Sequence, residues 1–309
     1  MKGEIANIVA DELARAQPAP VTAFAARIAE EGGAPVQAVL FYGSTLRTGD
    51  MSGLLDFYVI VDGLKAWRPE ACAWPHLVLP PRVEYWERDI EGRGLRAKLA
   101  ILTLEQFERL MQPRCLNTTV WARFCQPAAL VYMRDLHAQT RIVAALTQAV
   151  ESAACWAARL GPPQARAGVF WSLLFNRTYA AEIRVEAAGR ASGIVAFHAA
   201  RYERLLPLAW QSCGIAYAME GEALRPSLSP HRRVEARRAW RTRALLAKPL
   251  NLMRLVKAAF SFEGAADYAA WKLERHTGMK LELTPWQRRH PLLAAPPVVW
   301  RLWRQGVLR

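Results

Sequence analysis

The amino-acid sequence of this 309-residue chain implies an α+β fold. A mixed-sheet domain is expected over 1–135, a helical domain over 136–249, and a basic amphipathic segment over 250–309. Three observations carry this. Apolar runs at 36–42 and 54–61 are rich in β-branched and aromatic residues and too short for ordinary helices, so they read as strands. Beyond 136 the apolar positions recur at helical spacing almost to the end. The charge is lopsided: 225–309 holds 18 Lys and Arg against 5 Asp and Glu, +13 of a net +14.

Ile5, Ile8, Val9 and Leu13, then Val21, Phe24, Ala25 and Ile28, predict helix over 1–31, split by Pro18 and Pro20. Gly32-Gly33 ends it and feeds the first strand. Gly43-Ser44 makes a turn, a short basic loop follows, and the second strand opens on Leu54-Leu55-Asp56. The Pro-rich stretch 63–81 reads as irregular. Strands are expected over 82–87 and 95–102, with Gly92-Arg93-Gly94 as the turn between them. Thr103, with Gln106 three residues on, is a capping box opening a helix over Leu104, Phe107, Leu110 and Met111. A last strand falls at 128–132. Helices are then expected over 140–160, 165–188, 192–210 and 234–247. The stretch 250–260 is apolar with Arg254 and Lys257, and 266–275 is an amphipathic helix with Tyr268, Trp271 and Leu273.

Composition excludes several classes. Half the residues are hydrophobic, so the chain builds a core. Five scattered cysteines, odd in number and without a CxxC pair, fit a reducing cytoplasm with buried or idle thiols. Residues 1–10 lack a signal-peptide pattern, and no stretch reaches the roughly 18 apolar residues of a membrane span. The six histidines show no zinc-ligand spacing, and neither a GxSxG elbow nor a Walker lysine motif occurs. The basic last quarter implies a polyanionic partner, nucleic acid or an anionic membrane surface. At 298–304, Trp300 and Trp303 alternate with Arg301 and Arg304, a mixture suited to a bilayer interface or to a packed helix with its Arg in solvent.

Gly43-Ser44 between two strands lets backbone N–H groups and a hydroxyl turn toward a bound anion. Asp56, at the start of the next strand, faces the same pocket and offers hard oxygens to a divalent metal. The alternative is an ordinary turn beside a solvated carboxylate. Lys98 sits mid-strand, facing opposite to Ala97 and Leu99. If its strand neighbours that of Asp56, it points at the same anion. Glu84 is a further strand acid, or a solvated one. Asn176, Arg177, Tyr179, Glu182 and Arg184 share one expected helix, where Arg184 either pairs with a carboxylate or contacts an anion.

These blocks resemble, in order and over most of the chain, the mitochondrial translocator-assembly-and-maintenance family of phosphatidate cytidylyltransferases, within the nucleotidyltransferase superfamily. Tyr42-Gly43-Ser44 with Leu55-Asp56-Phe57 and Val61-Asp62 looks like its YGS…LDF…VD signature. Ala97 to Leu102 with Trp121 to Phe124 and Gln126-Pro127 is similar to its strand-lysine block and later W…AGR…KP. Leu174 to Val185 resembles its SYTGDFRM helix, with Glu182 in place of an Asp, and Leu252 to His276 looks like its C-terminal segment. Leu54 stands where the wider superfamily carries a second acid, and the resemblance places an apolar residue there.

The resemblance implies a nucleotidyltransferase-type sheet and transfer of CMP from CTP to phosphatidic acid. It implies Mg2+ on Asp56, catalytic support from Lys98 and Arg184, and nucleotide contacts from Tyr42, Gly43, Ser44 and Tyr179. The enzyme would be cytoplasmic, peripheral on the inner face of the membrane, with its basic C-terminal segment against anionic lipid. No nucleic-acid partner is expected, since no RNA-binding module is evident. A nucleotidyltransferase acting on RNA and a non-catalytic membrane-associated scaffold are the alternatives.

Overall fold

The computed structural model describes residues 2–33, 35–51, 53–69, 74–181, 190–261, 266–268, 270–271 and 283–289. The fold is α+β, as expected. Two compact units form, each from two stretches of chain: a helical unit from Met1–Gln17 and Thr103–Leu252, and a sheet unit from Pro18–Leu102 and Met253–Arg309. Among the described residues no helix is long and apolar enough to cross a membrane.

The sheet unit opens with α2 (Ala19–Gly32), after α1 (Lys2–Leu13) of the other unit. Val21, Phe24, Ala25 and Ile28 form the buried face of α2. Strands β1 (Val36–Tyr42) and β2 (Leu55–Val61) follow, with one helical turn, α3 (Ser44–Thr48), where a loop is expected. The Pro-rich stretch carries two further turns, α4 (Leu64–Trp67) and α5 (Trp74–Val78). Then come β3 (Arg82–Ile90) and β4 (Arg93–Thr103). Within this unit the strand order is β3-β4-β2-β1, with β1–β2 and β3–β4 antiparallel. Alternation sends Phe57 and Phe41 to one face, where Phe24 of α2 stacks on Phe57 at 5.7 Å. On the same side Trp67 stacks on Trp86 and Arg88 grips Glu31 of α2.

Glu84 of β3 is also there, and it is not solvated. Its carboxylate is fully buried and accepts from Trp67 Nε1, Arg82 Nε, Trp86 Nε1 and Arg68 Nη2.

The helical unit is arranged around α8 (Leu136–Leu160), capped by Asp135, whose side chain accepts from Ala138 N. Helices α1, α7 (Thr119–Phe124), α9 (Ala167–Ala181) and α11 (Ala199–Ser212) pack on it, burying Trp121, Trp171, Trp210 and Tyr202. The expected capping box of α6 (Leu104–Leu110) is present, with both Thr103 and Gln106 bonds formed. Strand β5 (Ala129–Met133) falls where expected, whereas the single helix expected over 192–210 is two, α10 (Arg190–Phe197) and α11, parted at His198. Arg201, buried on α11, pairs with Glu12 at 2.6 Å and donates to Cys125 O.

Further features depart from the sequence reading. A hairpin of β6 (Tyr217–Glu220) and β7 (Ala223–Pro226) lies where no strand is expected; Gly221, at φ +61°, opens its two-residue loop. The segments 234–247 and 250–260 are one helix, α12 (Pro230–Ser261), continuous through Pro249. Cys155 and Cys213, read as idle thiols, are joined as a disulfide, because α8 and α11 pack together and bring positions 58 residues apart into contact.

Candidate active site

The turn after β1 is built by Gly43. Its φ of +97° with ψ −159° lies in a region essentially closed to residues with a Cβ. The next residues wind into α3, which Gly49 ends in the left-handed region while donating to Thr45 O at 2.8 Å. Thr45, buried, donates its hydroxyl to Leu54 O, tying the turn to the start of β2. Ser44 stays exposed, and its carbonyl accepts from Thr48 Oγ1.

Asp56 is brought directly to this turn. It is the cross-strand partner of Tyr42, so its side chain rises beside the residue preceding Gly43. A methyl group on Gly43 would stand 2.9 Å from Asp56 Oδ2 and 3.4 Å from Asp56 Cβ. The carboxylate therefore lies against the open Gly43 main chain. The Tyr42 and Tyr58 rings meet edge to face at 5.1 Å on the same side of the sheet.

Lys98 belongs to this face as well. Asp56 points opposite to Phe57, and Phe57 packs on α2. On β3, Trp86 and Arg88 point to the α2 side, so Tyr85 points away from it. Lys98 is the cross-strand partner of Tyr85. Asp56, Lys98 and Tyr85 thus share the face opposite α2, on β2, β4 and β3, which are successive strands in the order. Asp56 and Lys98 are half-buried.

Two residues that the sequence reading assigns no role join them. The Tyr268 ring lies 5.7 Å from that of Tyr85, and Trp271 lies 6.1 Å from Tyr268. Burial first, then the Asp56 carboxylate, pushes the Tyr268 phenol above its ordinary value. Burial and then the Glu87 charge push Tyr85 up to about 12, and its hydroxyl donates to Glu87 at 3.4 Å. Both tyrosines are therefore neutral near pH 7.

Tyr179 is half-buried on α9, in the helical unit, within electrostatic reach of Tyr202. Glu182, Arg184, Leu273 and the Trp-Arg stretch 298–304 lie outside the described residues. Asp62 accepts from Gln37 Nε2 just past the far end of β2, about 20 Å along the strand from Asp56 at 3.3 Å per residue, too far to share a ligand with it. Among the described residues no group of three or more His, Cys, Asp or Glu could hold a metal ion.

Gly43→Ala is expected to lose about 1–3 kcal/mol from backbone strain and to displace the Asp56 carboxylate. Gly49→Ala, at φ +73° with open space around it, carries strain without the contact. Urea denaturation should show both destabilised, Gly43→Ala the more, since only there does the new methyl group meet Asp56. Equal loss in the two variants would refute the apposition.

No protein-family model matches the chain, and no curated protein matches it. Among solved structures it is similar to the crystal structure of a nucleotidyltransferase-like protein from Exiguobacterium sibiricum. The identity is 13% and the TM-score 0.26, over 93% of this chain and 92% of that one.

Proposed function

We propose that the chain is a nucleotidyltransferase that moves CMP from CTP to phosphatidic acid at an anionic membrane surface, giving CDP-diacylglycerol and pyrophosphate. One observation carries the reading: the Asp56 carboxylate lies against the side-chain-free turn at Gly43, with Lys98 on the same sheet face.

This reaction asks little of acid–base chemistry. The nucleophile is a phosphate-monoester oxygen, largely ionised near neutral pH because its second pKa is about 6. It bonds to the α-phosphorus of CTP, the bond from that phosphorus to the bridging oxygen breaks, and pyrophosphate leaves with the electron pair. The obstacle is repulsion between anions and charge gathering on the leaving group. Lys98 offsets that charge with a half-buried ammonium. Gly43 lets a phosphate approach the main chain, Ser44 offers an exposed hydroxyl, and Tyr42 borders the same turn. Asp56 suits Mg2+, which is commonly held by one or two carboxylates together with substrate phosphates. When bound, the ion supplies Lewis-acid neutralisation of phosphate charge.

The membrane part is supported by α12. Val234, Arg238, Arg241, Leu245, Lys248 and Leu252 recur every three or four residues along one exposed stripe, Leu245 76% and Leu252 58% exposed. Leucines with basic neighbours suit an anionic interface, where each Lys or Arg near the surface contributes about 1 kcal/mol. Leu245→Glu with Leu252→Glu is expected to lower cosedimentation with phosphatidate-containing liposomes about tenfold while CTP binding is kept; unchanged sedimentation would count against the stripe.

The deciding assay incubates the chain with α-labelled CTP, Mg2+ and phosphatidate vesicles, beside an RNA acceptor. Label is expected in CDP-diacylglycerol, with pyrophosphate released. Label in RNA alone would replace the lipid acceptor, and label in neither would overturn the enzymatic reading.

A further inference from the structure

We propose that Tyr268 and Trp271, backed by Tyr85, form the wall on which the nucleobase of the bound triphosphate stacks. The inference rests on reading Gly43 and Asp56 as the phosphate end of the site, and adds where the base lies.

The rings form a row leading off the sheet. Tyr85 rises from β3 on the face it shares with Lys98 and Asp56. Tyr268 is tilted 55° against it at 5.7 Å, and Trp271 is tilted 34° against Tyr268 at 6.1 Å. The row also stands close to the phosphate end, since the Asp56 charge acts on Tyr268. Only a ribose separates a base from its α-phosphate, so a triphosphate held at Asp56 places its base within this neighbourhood.

The exposure of the rings fits a wall better than a core. The core aromatics Phe24, Phe57, Trp121 and Trp171 are fully buried, and Tyr85 nearly so. Tyr268 and Trp271 are each half-buried, packed on one side with surface left over. Both also carry a polar edge, a phenol O–H and an indole N–H, that can reach a base as well as stack on it. An acyl chain needs neither edge. Base–aromatic stacking is strong enough that removing one ring weakens binding roughly tenfold or more.

The test is calorimetry on the full chain with Mg2+, using CTP and inorganic tripolyphosphate as separate ligands. Tyr268→Leu and Trp271→Leu are expected to bind CTP about tenfold more weakly, with tripolyphosphate unchanged. Tyr268→Phe, which keeps the ring, should bind CTP within about twofold of the parent. Equal loss for both ligands, or no loss for CTP, overturns the wall. Failure of the unaltered chain to bind tripolyphosphate overturns instead the phosphate site beneath it. A second measurement needs no variant: 5-iodo-CTP is irradiated on the unaltered protein and the adduct mapped by mass spectrometry. Adducts at Tyr85, Tyr268 or Trp271, suppressed by excess CTP, are expected; CTP-suppressed adducts only elsewhere overturn the inference.

Discussion

On the proposed mechanism, Asp56→Asn is expected to lower Mg2+-dependent CMP transfer by about 10³-fold, with little change in folding stability. The substitution keeps the side chain's shape and its fit against Gly43, where a methyl group would stand 2.9 Å from Oδ2. What it removes is one negative charge and one hard oxygen ligand. Loss of a single preorganised electrostatic partner typically costs 10²–10³ in rate. Stability is spared because Asp56 is half-buried at the start of β2, outside the packed face of Phe41 and Phe57. Single-turnover transfer from labelled CTP, read beside urea denaturation, separates the two effects. Activity within tenfold of the parent would remove Asp56 from the mechanism. Equal loss of activity and fold would make it a structural residue.

The turn and Asp56 are legible in the sequence because they are local. Strands β1 and β2 are short β-branched runs a dozen residues apart, and an antiparallel pair joined by a turn sets Asp56 opposite Tyr42. The capping box at Thr103 is equally local, needing only two residues three apart. Lys98 is half legible: alternation fixes its face, but not which strand lies beside it. Tyr268 is not legible, since its meeting with Tyr85 joins positions 183 residues apart and no periodicity encodes such a contact. The Cys155–Cys213 pair fails for the same reason: helix packing alone brings those positions together. The boundary between 234–247 and 250–260 fails in the other direction, for α12 continues through Pro249. Glu84 is the sharpest case. From the sequence it is a further strand acid or a solvated one, and only the partners around it show it buried.

Glu84→Ala is expected to cost about 3–5 kcal/mol of folding stability, because removing one partner of a buried ion pair leaves the other charge uncompensated. Arg82, 4% exposed, would keep its guanidinium in the interior with its 2.8 Å carboxylate partner gone. Two indole N–H groups, of Trp67 and Trp86, would lose acceptors at 2.9 and 3.0 Å. Arg68 would still lie over the Trp67 ring at 4.7 Å and donate to Trp67 O, but it would lose its carboxylate acceptor. Glu84→Gln keeps the shape yet turns an amide N–H toward groups that are themselves donors, so it too should destabilise.

The pH dependence follows from the sign of the shift. Burial alone raises the Glu84 pKa, but the Trp67 and Arg82 donors and the Arg68 and Arg82 charges outweigh it, so the group titrates below its ordinary 4.5. A carboxylate whose folded pKa is depressed stabilises the fold above its unfolded pKa and loses that contribution as pH falls toward the folded value. The stability difference between the parent and Glu84→Gln should therefore be constant from pH 7 to 5 and shrink below about 4.5, as followed by urea denaturation. A difference that persists undiminished to pH 3, or a Glu84→Ala loss below about 1 kcal/mol, would show that the four contacts do not hold the group charged. The consequence reaches the site, because Tyr85 is the next residue on β3. Anchoring Glu84 on the α2 side fixes the strand whose other side carries the ring under Tyr268, so Glu84→Ala should loosen that aromatic row although Glu84 itself lies on the opposite face.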